Sequence, residues 1–97
     1  MGIGAGHRAA RPIEAHLTTH LQGYQVFSET KGLGAFFTVR LGAKMHSVEV
    51  DEDFYMGRDA ATIRAKLEQW QIAELIKNGA RKVRILEESY QVLEQYT

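Results

Sequence analysis

The chain has 97 residues, which is enough for one small domain with a single hydrophobic core. It carries 12 basic and 12 acidic side chains, and this zero formal net charge argues against a strong general attraction for nucleic acid or an acidic membrane. The sequence contains no cysteine, which excludes disulfides, thiolate nucleophiles and cysteine-ligated zinc. No apolar run reaches membrane-spanning length, and no signal-peptide core is present at the start, so we expect a cytoplasmic protein.

Residues 1–11 are rich in glycine, alanine and arginine and show no buried-face periodicity, so we predict a flexible arm. Residues 12–97 are predicted to form a single α+β domain. The expected order is a helix, a three-stranded antiparallel meander, a long helix packed on the sheet, a further short strand, and a C-terminal helix or strand.

The first predicted helix begins at Pro12, a residue that suits the first helical turn. Ile13, Leu17 and Leu21 follow at four-residue intervals, which is the spacing of one helix face. Gly23 is expected to end the helix.

Two histidines of this helix, His16 and His20, lie one turn apart beside the apolar stripe. This spacing can chelate zinc, copper or nickel. The chain lacks the glutamate beside the first histidine that a metalloprotease helix needs, and a third ligand would have to come from His46 or the acidic segment after it. We interpret the pair as partly exposed histidines of an amphipathic helix, and predict no metal or cofactor.

Three stretches with aromatic and β-branched residues follow, at Tyr24–Thr30, Ala35–Leu41 and Lys44–Val50. Residues 31–34 and 42–43 supply glycine-containing turns between them. Consecutive hairpins of this kind predict an antiparallel meander in which the second strand lies in the middle.

The third strand leads into an acidic segment. If the strand continued, Glu49, Asp51 and Asp53 would project to one side, and three carboxylates together can hold magnesium or calcium. Hard-cation sites usually recruit ligands from separated segments, so we interpret these residues as a solubilising strand end.

Phe54, Tyr55 and Met56 form an unusually apolar stretch for a predicted loop. They are expected either to tuck under the long helix or to form the rim of a contact surface. The sequence leaves both alternatives open.

The long helix is predicted over residues 59–79, because Asp59 suits an N-cap and Asn78–Gly79 tolerates a left-handed C-terminal turn. Its apolar residues fall into two stripes. One stripe consists of Ala61, Ala65, Ile72, Leu75 and Ile76, and the other of Ile63, Leu67 and Trp70. A helix on a sheet normally needs one stripe, so the second is covered either by the N-terminal helix or the tail, or by another chain.

After this helix, Val83 and Ile85 alternate with basic residues and predict a short strand. The dense basic cluster of the chain consists of Lys77, Arg81, Lys82 and Arg84. Basic side chains often prevent the edge of a sheet from pairing, so we interpret the strand as an edge strand, with nucleic-acid binding as the alternative. Residues 87–97 suit a helix or a strand equally well.

The predicted order of elements over residues 12–86 resembles the core of the PD-(D/E)xK nuclease superfamily, and Val48-Glu49-Val50 is similar to its metal-binding strand. Asp51 stands where that motif has lysine, so the resemblance carries over no catalytic residue except Glu49. The first five elements also resemble a double-stranded-RNA-binding domain. Gly57, Arg58 and Asp59 stand where that domain has a basic helix start.

No nucleophile–base arrangement can be named from the sequence. We therefore expect a non-enzymatic interaction domain, a homodimer in which the 59–79 helix supplies the contact. The expected interface consists of Ile63, Leu67, Trp70, Phe54, Tyr55 and Met56. One alternative is a nucleic-acid-binding domain that uses the basic cluster. The other is a small metal-dependent hydrolase that draws on the carboxylates of residues 49–53 and the histidines.

Overall fold

The computed structural model describes residues 10–31 and 34–96 of the chain. Its elements are α1 (Arg11–His20), β1 (Gln25–Lys31), β2 (Gly34–Leu41), β3 (Lys44–Val50), α2 (Glu52–Tyr55), α3 (Ala60–Gln69), α4 (Ile72–Lys77), β4 (Ala80–Ile85) and β5 (Tyr90–Gln95). The fold is α+β, as predicted. Residues 1–9 of the predicted arm, residues 32–33 of the first turn and residue 97 of the tail lie outside the described residues. Arg11, predicted as the last residue of the arm, is the first residue of α1. Among the described residues, no helix is both long and apolar enough to cross a membrane.

The five strands form one mixed sheet in the order β1-β2-β3-β4-β5. β1, β2 and β3 are the predicted antiparallel meander, with Val39 opposite both Val26 and His46. β4 then runs parallel to β3, since the segment with α2, α3 and α4 returns the chain to the same end of the sheet. β5 pairs antiparallel with β4.

One face of the sheet is packed against the helices, and the other is left open by the described part of the chain. Along β2, Ala35, Phe37 and Val39 are buried while their neighbours are not, because successive side chains point to opposite faces of a strand. The inward residues of β3 and β4 continue this layer, with Val48 opposite Val83. Each fully buried side chain of this size contributes about 1.5–3 kcal/mol relative to an exposed one.

α1 forms where the sequence predicted it. Pro12 lies in its first turn, and the four-residue spacing places Ile13 and Leu17 on one fully buried face. α1 packs against α3, whose Ile63 and Leu67 are 1% and 0% exposed. The N-terminal helix therefore packs on the helix that carries Ile63 and Leu67 of the second stripe, whereas Trp70, the third residue of that stripe, packs against Phe54 and Tyr90.

The prediction of one continuous helix over residues 59–79 is wrong. Asp59 caps the segment as expected, accepting a hydrogen bond from the backbone N–H of Thr62 at 2.8 Å. The helix stops at Trp70, and Gln71 adopts a left-handed conformation with φ 53° and ψ 47° before α4 begins. The break changes the phase of the apolar residues, so that Ile72 and Ile76 are buried in α4, which packs against β4.

The interpretation of the basic strand as an edge strand is also wrong. β4 lies between β3 and β5, because the ambiguous tail is a strand. After β5, Tyr96 closes this side of the sheet: its hydroxyl donates to the carbonyl of Met45 at 2.5 Å and accepts from the Met45 N–H at 2.9 Å.

Phe54 and Tyr55 do not form a loop but a one-turn helix, and both are buried under the helical layer. Of the two alternatives for this apolar stretch, tucking under the helices therefore holds for these two residues. Met56, by contrast, is exposed.

The left-handed conformation of Gln71 gives a stability prediction. A non-glycine residue pays about 1–2 kcal/mol for this conformation, whereas glycine adopts it freely. We expect Gln71→Gly to raise the free energy of unfolding by about 0.5–1 kcal/mol, because relief of this strain exceeds the added entropy of the unfolded chain. Urea unfolding followed by circular dichroism measures the change.

Gln69→Gly is the matched control, since Gln69 is exposed and helical. There the same substitution should lower the free energy of unfolding by about 0.5–1 kcal/mol. Equal destabilisation by both variants would contradict the role assigned to Gln71.

Candidate functional site

A cleft of about 220 Å³ opens between α1 and the α3–α4 segment. Its floor and walls are formed by His16, His20, Leu67, Glu68, Gln71, Ala73 and Glu74. His16, His20 and Glu68 each offer a ligand atom, and these atoms all lie within 4.8 Å of one another. Within residues 10–31 and 34–96, this is the group of three or more histidine and carboxylate side chains that could hold a metal ion.

The cleft is positioned by the packing of α1 on α3. His16 is followed by Leu17, and Glu68 is preceded by Leu67; both leucines are fully buried in the core. Because Leu17 and Leu67 fix the two helices in the core, the neighbouring residues His16 and Glu68 lie at the edge of the contact between α1 and α3. The imidazole rings of His16 and His20, one turn apart, have centroids separated by 4.3 Å.

His16 is 4% exposed, and burial lowers its pKa to about 4. Desolvation is the main cause, because it disfavours the charged imidazolium. The neighbouring His20 lowers the pKa further, while the carboxylate of Glu68 acts in the opposite direction. His16 is therefore neutral near pH 7.

The open face of the sheet is the second candidate surface. Phe27 on β1 is 53% exposed and Met45 on β3 is 51% exposed. Both point away from the helices, since Phe27 pairs with Thr38 and Met45 with Arg40, which are outward residues of β2. Phe36, half-buried, is the outward residue of β2 opposite Glu29 and Glu49. Apolar side chains thus occur on β1, β2 and β3 of this face, with Thr38 and Arg40 among them.

The four residues of the predicted basic cluster all lie beside carboxylates. Lys77 is 3.4 Å from Glu74, and Arg84 is 3.2 Å from Asp51. Arg81 and Lys82 share the carboxylate of Glu94, at 3.7 and 3.1 Å. These pairs reduce the positive potential that a phosphate backbone would meet.

Most of the predicted interface residues lie in the interior. Phe54, Tyr55, Ile63 and Leu67 are buried within the chain itself. Trp70 is half-buried, with its ring between those of Phe54 and Tyr90 at centroid distances of 5.7 and 5.8 Å. Met56 keeps an exposed side chain, with 48% of its surface accessible. The 59–79 segment therefore presents little apolar surface of its own to a partner.

The residues considered for a hydrolase are not brought together with the histidine pair. Asp51 is engaged with Arg84, while Glu49 projects from the open face of the sheet opposite Phe36. His46 is buried, and its Nδ1 lies 2.6 Å from the carbonyl oxygen of Ala80. The cleft instead takes its carboxylate from Glu68, which the sequence analysis did not single out. Glu68 could have been identified from its position next to Leu67, but only if the packing of α1 on α3 had been known.

Comparisons of the chain with known protein families, curated proteins and solved structures find no match.

The lowered pKa of His16 predicts how stability changes with pH. The unfolded chain takes up this proton near pH 6.5, whereas the folded chain resists it down to about pH 4. The stabilisation is therefore fully present above pH 6.5 and is lost as the pH falls towards 4, by on the order of 2–3 kcal/mol. Urea unfolding between pH 7 and 4, with EDTA present, measures this loss.

His16→Gln is the reference variant, because it keeps a polar side chain that does not titrate. The charged or titratable groups facing the site, His20, Glu68 and Glu74, are unchanged in it, so the difference between the two pH profiles isolates His16. Identical profiles for both proteins would show that His16 does not resist protonation in the fold.

Proposed function

We propose that this protein is a non-enzymatic interaction domain that forms a homodimer through the open face of its sheet. The proposal is supported by the difference in exposure between the helical layer and the open face of the sheet. Ile63, Leu67, Ile72 and Ile76 of the helices are buried within the chain, whereas Phe27 and Met45 stand exposed on the sheet face that no described element covers.

The size of the face supports a second copy as its partner. Five strands spaced by about 4.8 Å give a width of about 24 Å, and about six residues per strand give a length of about 20 Å. Two such faces in contact would bury roughly 1,000 Å² in total, which is the lower limit for a specific interface. We therefore expect a weak dimer whose population depends on concentration.

The charges of the face also suit self-association. Glu29, Glu49 and Glu94 stand on it together with Arg40, Lys82 and Arg84. A surface that carries both signs does not repel its own copy, and a two-fold axis requires a surface that complements itself. Sheets pack face to face in this way with their strands roughly aligned.

A nucleic acid fits the same face less well. Its phosphates would compete with Asp51 and Glu94, which already neutralise the nearby basic side chains. Counterion release from a few paired cations gives little affinity.

The proposal predicts that Met45→Glu dissociates the dimer. A carboxylate buried in both copies at once should weaken association by at least about 10-fold, equivalent to about 1.4 kcal/mol. Sedimentation velocity over a range of protein concentrations measures the shift towards monomer.

Met56→Glu is the matched control: it makes the same substitution at a methionine of similar exposure, 48% against 51%, that lies outside the sheet. This variant should leave the dimer unchanged. The proposal fails if the wild-type chain remains a monomer at millimolar concentration. It also fails if Met56→Glu dissociates the dimer as much as Met45→Glu does, since the helical side would then supply the contact.

A further inference from the structure

We propose that His16, His20 and Glu68 together bind one divalent transition-metal ion, with Zn²⁺ as the ion that best suits the ligand set. This site is separate from the homodimer proposal, because it lies in the helical layer and the proposed dimer contact lies on the opposite side of the sheet.

The chemistry of the three ligands selects the class of ion. Two imidazoles and one carboxylate are a common zinc set in which a fourth position stays open to water or another small ligand. Imidazole nitrogen also suits copper and nickel, whereas magnesium and calcium prefer oxygen ligands alone. The ion expected here is therefore a transition metal and not a hard cation.

The geometry requires only small adjustments. Ligand atoms around a tetrahedral zinc ion lie roughly 3.3 Å apart, given zinc–ligand distances near 2.0 Å. The present separations, up to 4.8 Å, must contract by about 1.5 Å. His20 and Glu68 are both exposed, so rotation of their side chains can supply this contraction without moving either helix.

The packing around the three ligands favours a preformed metal site over a chance cluster of side chains. His16 is 4% exposed, so the surrounding packing restricts the position of its ring. Leu17 and Leu67 fix the backbones that carry the ligands, and ligands on rigid helices keep their positions better than ligands on loops. The cleft leaves room for water at the open position.

The left-handed residue Gln71 forms part of the same cleft. Its turn ends α3 just after Glu68 and directs Ala73 and Glu74 along the opposite wall. A bound ion would link α1 to α3 across this wall and thus cross-link the two helices that cover the sheet.

Titration of the metal-free protein with Co²⁺ and Zn²⁺ tests the site. We expect one equivalent of Co²⁺ to give the visible absorption of a low-symmetry, four- or five-coordinate ion, and Zn²⁺ to displace it. The melting temperature should rise with Zn²⁺ and not with Mg²⁺, because a ligand that binds only the native state stabilises it.

His20→Gln and Glu68→Gln remove one ligand each at exposed positions, so both variants should fold. Each should weaken Zn²⁺ binding by at least about 10-fold, since even the outer partners of a metal site contribute that much. Glu29→Gln, an exposed carboxylate on the other face of the sheet, is the control and should bind as the wild type does.

The proposal is overturned if neither ion binds at micromolar concentration. It is also overturned if His20→Gln and Glu68→Gln bind as tightly as the wild type, because the ion would then be adventitious and held elsewhere. Loss of binding in these variants with an unchanged dimer would separate the metal site from the proposed function.

Discussion

Gln71 adopts a left-handed backbone conformation between α3 and α4, and this turn lets one segment bury Ile63 and Leu67 before it and Ile72 and Ile76 after it. A continuous helix would point Ile63 and Leu67 away from Ile72 and Ile76. The turn shifts the phase, so that the first pair is buried where α3 meets α1 and the second where α4 meets the sheet. The strain costs about 1–2 kcal/mol. Burial of two isoleucines, at about 1.5–3 kcal/mol each, exceeds it.

The sequence of residues 59–79 shows the two-stripe pattern, which predicts cover for the second stripe either from the N-terminal helix or the tail, or from another chain, but it does not predict a break in the helix. The pattern also contains the break: the spacing runs through Ile63, Leu67 and Trp70, then restarts at Ile72. A left-handed glutamine has no distinctive residue signal, unlike the glycine or asparagine that usually takes this conformation. The strands were easier to predict, and the predicted bounds of β3 agree with the structure, because a period of two and glycine-containing turns are both local signals.

The remaining differences arise from long-range pairing. Val83 and Ile85 correctly predicted a strand. Whether that strand lay at an edge depended on the conformation of the tail. The tail was ambiguous, because Tyr90, Val92 and Tyr96 suit a strand while its other apolar residues suit a helix. Once β5 forms, β4 is an inner strand of the sheet, and its exposed side chains Arg81 and Lys82 lie beside Glu94 of the neighbouring strand. Glu68 could not be assigned to the histidine pair for a similar reason. Nothing local connects α1 to α3, and the cleft exists only after the two helices pack.

The two faces of the five-stranded sheet thus differ in what they contact. Inward residues such as Phe37 and Val48 hold the helices, and the cleft with them, in place, while outward residues such as Phe27 and Met45 form a surface that no element within residues 10–31 and 34–96 covers. A ligand changes an equilibrium only through a difference in its affinity for the two states. A metal ion that bridges α1 and α3 would bind monomer and dimer equally if the sheet does not move, and would then stabilise the fold without changing the dimer's dissociation constant. Coupling between the two sites would require the packing of α1 on α3 to differ between monomer and dimer, and would have to act in both directions.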